Sequence, residues 1–141
     1  MAQRILIMGL PGSGKTYLAE RLKSQLESYQ KTVRWFNADQ VRKEYNDWDF
    51  SEQGRIRQSL RMRDLANASD YDYCIADFVA PLVDMRHNFD ADWTVWMDTI
   101  SEGRFADTNK IFVEPASYDF RILEKDANKW AKYIANNIVD P

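Results

Sequence analysis

Two periods of apolar and polar positions run along the chain and divide it into strands and helices. Residues 3–8 close on Ile5-Leu6-Ile7-Met8, a nearly continuous apolar run. A run with no polar face is the pattern of a strand buried on both sides of a parallel sheet, and it predicts the central one. Over 15–29 the period lengthens. Leu18, Leu22 and Leu26 recur every fourth position around Glu20, Arg21 and Lys23, which predicts a helix laying one stripe on the sheet. Residues 32–36 read as a second strand and 37–42 as its edge turning into a short helix. Ser51 is a helix cap, with Glu52 in the following first turn of a helix predicted over 52–67. One face of that helix carries Arg55, Gln58, Ser59, Met62, Leu65 and Ala66, and another carries Arg57, Arg61 and Asp64, read as solvated. Strands are expected over 71–78, ending at Asp77, over 92–98 and over 118–123. A short segment runs from Pro81 to Asn88, a polar loop spans 101–115, and Ala127, Trp130, Ala131, Ile134 and Ile138 mark a closing amphipathic helix over 125–138. Strands alternating with helices predict an α/β domain of three layers around a parallel sheet of about five strands.

The first predicted strand runs straight into Gly9-Leu10-Pro11-Gly12-Ser13-Gly14-Lys15-Thr16, which matches G-x-x-x-x-G-K-[ST] in the strand, loop and helix order that gives the motif its meaning. Gly9, Gly12, Ser13 and Gly14 let the backbone curl so that N–H groups point at a phosphate chain, and the following helix adds the positive end of its dipole. Lys15 is placed to bridge the β- and γ-phosphates of ATP, and the Thr16 hydroxyl to hold Mg²⁺.

Composition narrows the rest. A chain of 141 residues is expected to form one domain without disulfides, and the lone Cys74, in an apolar strand, reads as a core residue. His87 sits in a charged stretch and reads as surface. The net charge of -3 gives no reason to expect nucleic acid or a membrane as partner. The apolar start leads directly into the phosphate loop, which argues against a signal peptide, and the default compartment is the cytoplasm. Homodimerisation is open, since Trp48 and Trp93 read equally as surface or core.

A phosphate loop is shared by kinases, switch GTPases and motor ATPases. The nearest approach to the guanine-reading N-K-x-D element is Asn109-Lys110-Ile111-Phe112, which lacks the Asp, and an appended domain for mechanical work is not expected. A small-molecule kinase needs an acceptor pocket, a carboxylate near the acceptor hydroxyl and cations around the transferred group. Asp39 and Arg42, at the carboxyl end of the second strand, are placed for that chemistry.

The phosphate loop, then Asn37-Ala38-Asp39-Gln40-Val41-Arg42, then Phe50-Ser51-Glu52-Gln53-Gly54-Arg55, then Phe78-Val79-Ala80-Pro81, is similar in order and spacing to the adenylylsulfate kinase family. The resemblance covers roughly residues 3–100. It implies a P-loop kinase that transfers the γ-phosphoryl group of Mg·ATP to the ribose 3′-hydroxyl of adenosine 5′-phosphosulfate. It further implies that Asp39 orients or deprotonates the acceptor hydroxyl and helps organise Mg²⁺, and that Arg42 and Arg55 hold the phosphosulfate. Phe50 would stack on the acceptor base, with Phe112 on the opposite wall and Gln58 hydrogen-bonded to the acceptor. The chain departs from the family's pattern at Asn37, Gly54, Leu60 and Ala80, and its lid, carrying Arg104 and Lys110, is shortened. Those departures leave another nucleoside, nucleotide or small hydroxyl compound as the alternative acceptor, and a nucleotide-binding regulator without transferase activity as a third reading. Asp77 has no family counterpart and is either a carboxylate that reaches Mg²⁺ through water or a turn cap.

Overall fold

The computed structural model describes residues 2–103 and 105–139. Its elements are β1 (Gln3–Gly9), α1 (Lys15–Ser28), β2 (Val33–Asn37), α2 (Ala38–Tyr45), α3 (Glu52–Asn67), β3 (Tyr73–Asp77), α4 (Val83–Phe89), β4 (Trp93–Met97), α5 (Ala106–Ile111), β5 (Phe120–Ile122) and α6 (Ala127–Val139). The five strands form one sheet in the order β2-β3-β1-β4-β5, and every pairing is parallel. The central place of β1 follows from its composition, because its apolar residues from Ile5 to Met8 are all buried.

Alternate residues of each strand serve different layers. Ile5, Ile7, Ile75 and Val95 face one side, where Leu18, Leu22 and Leu26 of α1 and Ala131, Ile134 and Ile138 of α6 cover them. Leu6, Met8, Ala76 and Trp96 face the other, against Val41 of α2, Met62 and Ala66 of α3 and Phe89 of α4. Cys74 belongs to this second core and is fully buried. Ser51 caps α3 as its sequence suggests, its Oγ accepting from Gly54 N at 3.2 Å.

Two expectations are corrected. Residues 101–115 are not all loop, because α5 forms within them. It is six residues long and mostly polar, too short for a periodic signal. Arg57 and Arg61 are not a simply solvated face. Arg61 is only 15% exposed, and both donate to Asp47.

The order of strands reverses direction of winding at β1, so the carboxyl ends of β1, β2, β3 and β4 open onto one crevice. All chemistry-bearing segments converge there.

Candidate active site

The loop between β1 and α1 is built by its glycines. Gly12 (φ 87°) and Gly14 (φ 101°) occupy the left-handed region that disfavours any Cβ. A Cβ on Gly9 would lie 2.7 Å from the Met97 carbonyl oxygen and 2.8 Å from Ser13 Oγ. Ser13 is fully buried, and its carbonyl accepts from Thr99 Oγ1 at 2.7 Å, which ties the loop to the end of β4. Lys15 Nζ reaches back to the Leu10 carbonyl at 3.0 Å. Gly14 is the N-cap of α1, no side chain caps it, and its first turn carries no acidic residue. The positive end of a 14-residue helix therefore points into the curl of the loop, an environment suited to phosphate.

Beside the loop, β2 and β3 end side by side, with Asn37 paired in register with Asp77. Asp77 is 2% exposed and accepts from Trp35 Nε1 at 2.6 Å and Asn37 Nδ2 at 3.0 Å. Burial pushes its carboxyl up from 3.8 to about 6, against the opposing pull of those two donors and of Lys15. The same Asn37 amide lies 3.2 Å from Thr16 Oγ1, while Asn37 Oδ1 accepts from Gln40 N at 3.0 Å and caps α2. One side chain thus joins the loop, Asp77 and the helix whose first turn presents Asp39. A buried carboxylate adjacent to a threonine hydroxyl is a donor set that would suit a divalent cation. Among the described residues no cluster of three or more His, Cys, Asp or Glu could hold a metal alone.

A cleft of about 1180 Å³ runs past these groups. It is lined by Gly12, Gly14, Lys15, Thr16, Asp39 and Asp77, and by Trp48, Phe50, Arg55, Phe105, Asp107 and Thr108. Tyr17 and Arg21 of α1 and residues 124–128 beyond β5 line it as well. Arg55 donates from Nε to the Phe50 carbonyl at 2.8 Å and from an Nη to Thr108 Oγ1 at 3.2 Å, so α5 is tied to α3 beside Phe50.

Three expected residues are turned away from this wall. Arg42 is 4% exposed, and one of its Nη atoms donates to the carbonyls of Asp47 and Asp49, both at 3.1 Å. Its guanidinium lies 4.3 Å from the centre of the Phe50 ring. Gln58 is buried, its amide bonded to the Ala38 carbonyl and its Oε1 to Arg61. Phe112 packs on the second core beside Arg86. Phe105, seven residues earlier, is the lid-segment aromatic on the cleft wall. Lys110 is exposed on α5, and Arg104 lies outside the described residues. Trp48, whose place between surface and core the sequence left open, lines the cleft, and so does Tyr17, which the sequence did not mark. The aromatic and acidic spacing of residues 46–50 held the signal for Trp48.

Fold and loop together define a P-loop nucleotide-binding domain, and the family match makes it an ATP-dependent phosphotransferase. A family model for adenylylsulphate kinase matches residues 1–102, and the chain belongs to that family. No curated protein matches. Among solved structures, the chain resembles the APS kinase of Mycobacterium tuberculosis in complex with AMPPNP and APS, at 17% identity and TM-score 0.80, covering 99% of this chain and 98% of that one. Shikimate kinase from Acinetobacter baumannii in complex with shikimate matches at 15% identity and TM-score 0.66, over 99% and 94%. A sugar kinase from a Janibacter species matches at 15% identity and TM-score 0.68, over 99% and 95%. At such identities the likeness is one of fold. No helix among the described residues is long and apolar enough to cross a membrane.

Proposed function

We propose that the chain transfers the γ-phosphoryl group of Mg·ATP to the 3′-hydroxyl of adenosine 5′-phosphosulfate. The observation that carries this reading is the convergence of Asp39, Phe50 and Arg55 on one cleft at the mouth of the phosphate loop. In the proposed reaction Asp39 takes the proton of the acceptor hydroxyl as its oxygen bonds to the γ-phosphorus. The bond between that phosphorus and the β–γ bridging oxygen breaks, and ADP leaves. The loop amides and Lys15 hold the phosphate chain in line. Thr16 and Asp77 are assigned to the divalent cation, which neutralises developing charge on the phosphates when bound. Arg55 carries the acceptor's anion, for which a forked guanidinium suits oxygen pairs. Residues 101–115 serve as a short lid that excludes water, and the chain works as one kinase domain.

Arg42 favours a second reading. Its guanidinium is committed to two backbone carbonyls, which leaves Arg55 as the cation on the acceptor side of the cleft wall among the described residues. An acceptor with less negative charge than a phosphosulfate, bearing the same kind of hydroxyl, would suit that wall.

Replacing Asp39 with Asn tests the shared chemistry. Turnover should fall about 10²- to 10⁴-fold while AMPPNP affinity stays within about twofold, the signature of a lost general base. Unchanged turnover in Asp39→Asn would remove Asp39 from the reaction and the proposal with it.

A further inference from the structure

The segment from Asp47 to Ser51 alternates between residues held by the protein and residues offered to the cleft. Asp47 accepts from Arg57 Nε at 2.8 Å, from an Arg57 Nη at 2.9 Å and from Arg61 at 2.9 Å, and is 12% exposed. Asp49 accepts from Ser51 N at 2.9 Å and from Arg57 at 3.2 Å. Their two carbonyls are the acceptors of Arg42. Gly54 belongs to the same packing, since a Cβ there would lie 2.1 Å from the Asp49 carbonyl oxygen. Between these fixed points stand Trp48 and Phe50, about half exposed, both on the cleft wall, with ring centres 6.5 Å apart. Large rings left open to water on a concave wall are surface kept for a ligand. A carboxylate that accepts several charge-assisted hydrogen bonds has little freedom to move, and the backbone next to it shares that restraint.

We propose that Asp47, clamped by Arg57 and Arg61, is a positioning residue that fixes Trp48 beside Phe50 as a two-ring wall for an acceptor with a flat aromatic base. This deepens the preceding reading of the acceptor side and rests on it for the identity of that site. Trp48 is the substrate-facing member. Arg42, Arg57 and Arg61 act through the loop, which accounts for three arginines whose side chains do not line the cleft. An acceptor lacking a ring would leave both aromatic faces wet and would gain nothing from the clamp.

The test is calorimetric binding of adenosine 5′-phosphosulfate to the whole chain, with AMPPNP binding as control, in Trp48→Leu, Trp48→Phe, Asp47→Ala and the double variant Asp47→Ala/Trp48→Leu. Thermal melts confirm that each variant is folded. Trp48→Leu should weaken acceptor binding about 10-fold, the ordinary worth of one stacked base, with Trp48→Phe recovering most of it and AMPPNP affinity within about twofold. Asp47→Ala should weaken acceptor binding similarly, and the double variant should be no more than about threefold worse than the worse single, because the clamp acts through the ring it holds. A multiplicative double variant, an unchanged Trp48→Leu, or an Asp47→Ala that loses AMPPNP equally would overturn the proposal. Binding of the phosphosulfate that depends on Trp48, without its phosphorylation, would sustain the wall and defeat the assigned reaction. Phosphorylation of shikimate with no binding of any base-bearing acceptor would defeat both.

Discussion

Replacing Asp77 with Asn should make the nucleotide-free protein more stable and its nucleotide binding worse. The carboxyl is buried, and burial raises it from 3.8 to about 6. At about 1.4 kcal/mol per pH unit, the displacement corresponds to about 3 kcal/mol of opposition to the charged form in the folded state. Between about pH 4 and pH 6 the folded protein holds a proton that the unfolded chain has released, so this group's contribution falls as pH rises through that window. Above it the deficit is complete. The Asn variant keeps an acceptor for Trp35 Nε1 but sets its amide against that of Asn37, at a cost of about 1 kcal/mol. The net expectation is a gain of about 2 kcal/mol at pH 7 that vanishes between about pH 4 and pH 5 and turns into a loss of up to about 1 kcal/mol below, read from urea unfolding of both proteins across that range. If Asp77 holds the divalent cation as proposed, adding Mg²⁺ and AMPPNP should reverse the order, because bound cation would favour the wild-type carboxylate over the Asn amide. A variant that is less stable at pH 7, with a difference that does not change with pH, would refute the assignment of a strained charge to Asp77.

Other outcomes follow from the loop and the helix caps. Gly54→Ala gains up to about 1 kcal/mol of helix propensity but drives a methyl into the Asp49 carbonyl, and overpacking costs about 1–3 kcal/mol. The variant should melt lower than wild type and bind acceptor more weakly, and a higher melting temperature would contradict the contact. Ser51→Ala removes the hydrogen bond to Gly54 N and should cost about 1 kcal/mol in urea unfolding. No loss there would mean that the cap of α3 is carried by something else.

Much of the fold was legible because its longest elements are periodic. The run Ile5-Leu6-Ile7-Met8 announced the central strand, the four-residue spacing of Leu18, Leu22 and Leu26 announced α1, and Ser51 with Glu52 placed the start of α3 at the residue where it begins. The phosphate loop was legible for a different reason, since glycines at fixed intervals state a backbone conformation directly. What escaped was the use of side chains. Arg42, Arg55, Arg57 and Arg61 recur at spacings that suit several geometries, and only the path of residues 46–50 decides that all four hold that loop while Arg55 alone of them also lines the cleft. Phe112 and Phe105 are both aromatic residues in a segment without a strong pattern, and the six-residue α5 between them settles which one faces inward. The strand end at Asp77 was visible. Its contact with Trp35 and Asn37 was not, because that depends on the register of β2 against β3, which no local pattern encodes.

The central claim is that this cleft joins ATP to the ribose hydroxyl of a phosphosulfated nucleoside. Incubation of the chain with Mg²⁺, γ-labelled ATP and adenosine 5′-phosphosulfate, followed by chromatographic identification of the labelled product, tests it directly. The account predicts label on the 3′-oxygen of the phosphosulfate and its loss in Asp39→Asn. Label transferred to another acceptor, with none on the phosphosulfate, would contradict it.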